Sequence, residues 1–187
     1  MHIMIDLETM GQRFDAPVVS IGAVYFDPET GRLGDEFYAA IDIEDAFRWG
    51  RPDGSTVKWW MEQDALARVA AVEGEETLKA ALERFSQWYA PKSPVWGNGA
   101  TFDISILEYA YGRLGGKQPW AFWDVRDCRT IKDIGSHLKV DTKVQQGVAH
   151  NALDDAKSQA RWVSEIWMKL KGKFPTPSSS GDDDMFD

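Results

Sequence analysis

The stretch Met4-Ile5-Asp6-Leu7-Glu8-Thr9-Met10-Gly11 sets the strictest condition on how this chain folds. The apolar run over residues 2–7 predicts a strand. Alternate side chains of a strand share a face, so Asp6 and Glu8 project side by side. Two like charges in that arrangement repel. A fold that contains this strand must bring something to its end that compensates them.

Residues 17–26 and 33–41 predict two more strands, on the β-rich run Val18, Val19, Ile21, Val24, Tyr25 and Phe26. The reversal Asp27-Pro28-Glu29-Thr30-Gly31 between them is too short for a parallel crossover, so the first three strands are expected to be antiparallel. From Ser55 the pattern becomes helical. One helix, with Ser55 as its cap, carries Trp59, Trp60, Leu66 and Val69. A second, over 75–90, places Leu78, Leu82, Phe85 and Trp88 or Tyr89 at helical spacing before Pro91 and Pro94 end it. A fourth strand follows at 94–97, then a helix over 100–116 capped by Thr101 and stopped by Gly115 and Gly116. A fifth strand at 121–126, a short helix over 127–138 and a long helix from Asn151 to Gly172 complete the order. The expected fold class is α/β: a five-stranded mixed sheet, three strands antiparallel and two parallel, flanked by helices.

With 43% hydrophobic residues, the 187-residue chain suffices for one domain with its own core, expected over residues 1–173. Residues 174–187, rich in proline and serine and then acidic, are expected to be disordered. That tail is either a solvated extension or a tip that docks through an aromatic among acids into a basic pocket of a protein partner. No stretch approaches the roughly 20 apolar residues of a membrane helix. Nor does a basic segment followed by an apolar run open the chain, so the expectation is a cytoplasmic protein that does not engage membranes. Its single cysteine, Cys128, excludes an intramolecular disulfide and reads as a buried, inert thiol. A net charge of -9 argues against broad adhesion to nucleic acid, but not against a local polyanion site built on metal ions.

Two further acids fall where the chain direction brings them toward Asp6 and Glu8. Asp103 opens the helix after the fourth strand, where the helix dipole favours an ionised carboxylate. In His150-Asn151-Ala152-Leu153-Asp154-Asp155-Ala156, Asn151 is a natural cap, which makes His150 and Asp155 the two positions that pack together across a helix start. Asp154 is rotated away by about a hundred degrees and is better placed to bond the first helical amides. Asp6, Glu8, Asp103 and Asp155 then meet beside one imidazole. Such a cluster cannot stay ionised unaided. Two hard cations relieve it, and oxygen ligands without thiolates point to Mg²⁺ or Mn²⁺. Two such ions suit an in-line phosphoryl displacement, with His150 as a base of suitable pKa for the attacking water. Taken singly, an Asp-x-Glu or a lone histidine fits an ordinary surface or turn role. The three segments in this order are what carry the reading.

At these residues the sequence resembles the DEDDh family of 3'→5' exonucleases, which includes ribonuclease T, oligoribonuclease and the proofreading subunit of bacterial DNA polymerase III. The resemblance runs over residues 2–168. Ile5-Asp6-Leu7-Glu8-Thr9-Met10-Gly11 matches the first exonuclease motif, Gly97-Asn98-Gly99-Ala100-Thr101-Phe102-Asp103 the second, and His150 to Ala156 the third. It implies a ribonuclease H-like fold, with Asp6, Glu8, Asp103 and Asp155 as metal ligands and His150 as general base. It also implies that Thr9 and Met10 line the pocket of the last nucleotide and that Phe102 or Asn98 faces it. Where the family often has Thr-Thr-Gly, this chain has Thr9-Met10-Gly11. The stretch Thr56-Val57-Lys58-Trp59-Trp60-Met61-Glu62-Gln63 further resembles a bacterial and phage exoribonuclease-like subgroup whose relatives include phage DNA exonucleases. Adjacent tryptophans on a helix face different ways, so one of Trp59 and Trp60 is expected in the core and the other free to stack on a base.

The expected activity is 3'→5' hydrolysis of single-stranded DNA or RNA ends with release of nucleoside 5'-monophosphates. Since ribonuclease T dimerises, the resemblance allows a homodimer. Two other readings remain open at this point: a non-catalytic adaptor working through the acidic tail, and a metal-dependent phosphohydrolase of small nucleotides.

Overall fold

A computed structural model describes residues 1–145, 147–148 and 150–173. The expected disorder of the acidic tail, 174–187, lies outside the described residues. Three strands come first, β1 (His2–Thr9), β2 (Val18–Phe26) and β3 (Leu33–Ala40). Four helices follow, α1 (Ile43–Trp49), α2 (Gly54–Met61), α3 (Ala65–Ala70) and α4 (Leu78–Trp88). Then come β4 (Val95–Gly97), α5 (Asp103–Arg113), β5 (Val125–Asp127), α6 (Cys128–Ile134) and α7 (Ala152–Lys173). The sheet order is β3-β2-β1-β4-β5. β1 and β3 both run antiparallel to β2, whereas β1, β4 and β5 are mutually parallel, as the loop lengths require.

Several boundaries differ from those read in the sequence. The helix expected from Ser55 to Val72 is two helices, because Asp53 caps α2 and Asp64 caps α3. Ser55 donates its hydroxyl to the Asp53 carboxylate at 3.0 Å instead of capping. Helix α1 went unread: Asp42 caps it by accepting the Asp45 amide at 2.7 Å. Thr101 does not cap α5, which starts at Asp103 after a tight turn closed by the Phe102 amide on the Gly99 carbonyl, 2.7 Å. The fifth strand is three residues long, preceded by a 3₁₀ turn over Phe122–Asp124.

Alternation along β1 divides the core into two layers. Ile3, Ile5 and Leu7 face α2, α4 and α5 and pack with Trp60, Leu82, Phe85, Ile106 and Leu107. Met4 faces the other way, among Trp96, Cys128, Ile131, Ala156, Ala160, Val163 and Ile166 under α6 and α7. Asp6 and Glu8 continue the Met4 side. Cys128 is fully buried with its Sγ on the Met4 sulfur at 3.4 Å, and burial pushes its thiol pKa up, so it stays a protonated packing group.

Helix α7 comes down onto the sheet at Gly22, the β2 residue paired with Asp6. A Cβ there would lie 2.1 Å from the Ala152 carbonyl carbon and 2.2 Å from the Leu153 nitrogen. The helix start can therefore sit against the sheet only because position 22 has no side chain. Gly22→Ala is expected to push α7 outward and cost about 1–3 kcal/mol. Urea denaturation of the variant reads this as a lower midpoint.

Candidate functional site

Backbone caps explain why three distant segments converge. The Asn151 side chain accepts the amides of Leu153 and Asp154 at 3.1 and 3.2 Å, starting α7 where the sequence places it. His150, just before the cap, has φ +63°, a left-handed conformation that costs a non-glycine residue about 1 kcal/mol or more. Its amide donates to the Asp155 carboxylate. Ligand atoms of Glu8, His150 and Asp155 all lie within 4.8 Å of one another. Asp154 does not bond the first helical amides as expected. Its carboxylate turns back to accept the Val148 amide at 2.9 Å and fills the space where a Gly147 side chain would stand.

Asp103 is buried at the end of β4, with its Oδ2 3.1 Å from where a Gly97 Cβ would be. It accepts backbone amides from Leu7 and Asn98. Asn98 thus meets the site through its main chain. Asp6 accepts from the Gln159 amide at 2.7 Å, and the Gln145 amide reaches Asp155 at 2.5 Å. Gln159 escaped the sequence reading. Its signal was available, since it stands one helical turn after Asp155 on the same face of α7.

The acids perturb one another. Burial first, and then Asp103, Glu8 and Asp155, hold the Asp6 carboxyl well above the usual range. Burial raises Glu8 to about 8, with Asp155 and Asp103 adding to the rise. Burial lifts Asp103 to about 7 against the backbone amides and Arg129, which pull it down. The helix dipole therefore does not keep Asp103 ionised by itself, because desolvation outweighs it. Asp155 is also raised, mainly by burial, with Gln145 and His150 opposing.

Beside the acids lies a cleft of about 240 Å³ whose walls include Glu8, Thr9, Gln12, Thr56, Trp59 and Phe102. Trp60 is buried and donates its indole N–H to the Thr9 carbonyl at 2.9 Å. Trp59 is 40% exposed and meets the His150 ring edge to face at 4.9 Å. The two tryptophans divide as expected. Thr9 turns its hydroxyl onto the Gly11 carbonyl at 2.7 Å. Met10 departs from its expected place: it is 4% exposed, packs in the core layer of β1, and is absent from the cleft wall. A β-bulge between Glu8 and Thr9 breaks the alternation that a continuing strand would have given it.

A profile described as the 3'-5' exoribonuclease Rv2179c-like domain matches residues 1–167. The chain belongs to that family. The exodeoxyribonuclease of Enterobacteria phage T4 is 28% identical over 187 aligned positions, covering 81% of this chain and 82% of the relative. Exonuclease X, solved in complex with 5' overhanging duplex DNA, superposes with a TM-score of 0.59 at 15% identity, covering 92% of this chain and 93% of its own. The nuclease domain of 3'hExo, a DEDDh family member bound to rAMP, gives 0.59 at 16% identity over 89% and 91%. The mixed sheet with flanking helices is the ribonuclease H-like arrangement of these exonucleases. As a member of this family the chain is an exonuclease, a hydrolase of phosphodiester bonds. Among the described residues, no helix is long and apolar enough to cross a membrane.

Carboxyl groups raised to about 7 and about 8 hold protons that a divalent cation must displace. Above their pKa in the unfolded chain, these groups subtract from the stability of the metal-free fold as pH rises toward 8, and cation binding removes that penalty. Adding Mn²⁺ or Mg²⁺ is therefore expected to raise the melting temperature more at about pH 8 than at about pH 6. At the lower pH, calorimetry should register a larger proton release.

Proposed function

We propose that the chain is a 3'→5' exonuclease that removes nucleoside 5'-monophosphates from single-stranded DNA or RNA ends in the cytoplasm. The observation that carries this reading is the meeting of β1, the start of α5 and the start of α7. It gathers four carboxylates and one imidazole beside a cleft walled by Trp59 and Phe102, with Glu8 on the shared wall. The donor set fits a hard divalent cation, since it offers carboxylate oxygens crowded together and raised by burial and by one another.

Asp6, Glu8, Asp103 and Asp155 would hold two cations, Mg²⁺ or Mn²⁺. When bound, these would supply activation of the attacking water and neutralisation of the leaving oxygen. The chain's own groups do the rest. Gln159 and the amides of Leu7 and Asn98 fix the directions of the Asp6 and Asp103 carboxylates. An imidazole nitrogen of His150, within 4.8 Å of carboxylate oxygens of Glu8 and Asp155, takes the proton from the water. Trp59 limits how far that ring can swing and offers an indole face to the terminal base. Thr9 and Phe102 bound the terminal nucleotide. Met10 supports this wall from the core side.

The family description names an exoribonuclease and the phage T4 relative is an exodeoxyribonuclease, so both substrates belong in the test. Matched DNA and RNA oligomers, labelled at the 5' end, should give a ladder that shortens from the 3' end in Mg²⁺ and none with chelator. His150→Ala is expected to lower kcat by about 10²–10⁴-fold. Asp6→Asn should abolish the ladder while leaving the metal-free protein as stable or more so at about pH 8, because it deletes a repelled carboxylate. A full-rate ladder from either variant would overturn the assignment.

A further inference from the structure

Two cationic side chains act on the clustered carboxylates, His150 on Asp155 and Arg129 on Asp103. His150 is accounted for above. Arg129 is exposed, and among the described residues its guanidinium makes no ion pair or hydrogen bond. An arginine that stands near Asp103 without closing a salt bridge keeps its N–H edges available.

Its seat is built with care. Gly99, in the turn between β4 and α5, has φ +109°, a conformation that disfavours any side chain. A Cβ on Gly99 would lie 3.1 Å from the Arg129 Cζ, 3.2 Å from one terminal nitrogen and 3.3 Å from Nε. The guanidinium therefore lies flat over the glycine, where a side chain would displace it. Asp127 locks the two segments together: its Oδ1 accepts the amides of Arg129 and Thr130 at 2.8 and 3.1 Å, and its Oδ2 accepts the Ala100 amide at 2.5 Å. Arg129 is thus anchored at the first turn of α6 and held against the turn that leads into Asp103.

We propose that Arg129 binds a phosphate of the nucleic-acid strand, the one on the 5' side of the bond being cut. This rests on the exonuclease reading given above. A strand whose 3' nucleotide fills the cleft and whose scissile bond lies at the acids must carry its next phosphate past them. A chain with a net charge of -9 repels it overall, so the strand needs a local cation to hold it there. A flat, unpaired guanidinium presents two parallel N–H groups that match a phosphate's oxygens. The contact is to the strand's backbone and is therefore indifferent to base and common to DNA and RNA.

The test uses the intact protein with Mg²⁺ and two short single-stranded oligomers. One is unmodified, and the other carries a neutral methylphosphonate in place of the phosphate on the 5' side of the first bond to be cut. For the wild type, the methylphosphonate is expected to raise KM about tenfold with kcat little changed. In Arg129→Gln, KM for the unmodified oligomer should rise by a similar factor, and the methylphosphonate should add nothing further. Arg129→Lys, which keeps the charge and loses the fork, should fall between. The salt dependence of kcat/KM should also become shallower in the glutamine variant, by about 0.7 in log-log slope. If Arg129→Gln keeps the wild-type KM, or still pays the full methylphosphonate penalty, the proposal is overturned while the exonuclease reading stands. If the wild type does not shorten the unmodified oligomer, the exonuclease reading falls and takes this proposal with it.

Discussion

Everything at the candidate site depends on how closely the first turn of α7 approaches the sheet. Gly22 permits that approach, and its strand partner is Asp6. The helix brings Asp155 and Gln159 on one face and His150 just ahead of its cap, so a single contact between helix and strand sets the distances among all of them. The other half of the site follows from β4 lying beside β1 in parallel. That pairing delivers Gly97 and Asp103 to the same end of the sheet as Glu8. Parallel pairing needs a crossover, and α1 to α4 supply it, with their apolar sides forming the opposite core layer.

What the contact brings together is electrostatically costly. Four acids share a partly buried corner, and in the metal-free protein protons take the place of the missing positive charge. The surrounding dipoles do not pay for full ionisation: Gln159, Gln145 and the amides of Leu7 and Asn98 each bond a carboxylate, yet every one of the four stays raised. Their effect is directional. They fix where the oxygens point, and that matters for a hard cation, which binds oxygens at fixed short distances.

Much of this was legible in the sequence, for local reasons. Strands β1 to β3 and the start of α7 are written in alternation, turn residues and a cap, all of which act within a few residues. The convergence of Asp6, Glu8, Asp103, His150 and Asp155 followed from chain direction once those elements were placed. The misreadings are places where a non-local or competing term decides. Helix α1 is a seven-residue helix held by an Asp42 cap and by Asp45, whose carboxylate accepts the Leu78 amide from α4 at 2.8 Å. Its weak periodicity gives no warning of that partner. Ser55 lost the cap to Asp53, and Thr101 to a backbone turn. The family resemblance puts Met10 in the pocket of the last nucleotide, but the bulge after Glu8 sends it to the core. Asp103 reads as an ionised helix start, and only the packing around it shows how much solvation it has lost.

The pair Trp59 and Trp60 ties together parts that a sequence treats as separate. Trp60 is bonded to the backbone one residue after Glu8, and Trp59 touches His150. One helical turn thus braces the strand that carries two acids against the histidine that arrives from the far end of the chain. On the proposed reading, recognition of the terminal base and spacing of the reacting groups are consequently not independent traits in this scaffold. An engineer who recarves the indole wall to admit a different base will also reset where the histidine stands, and must retune both together.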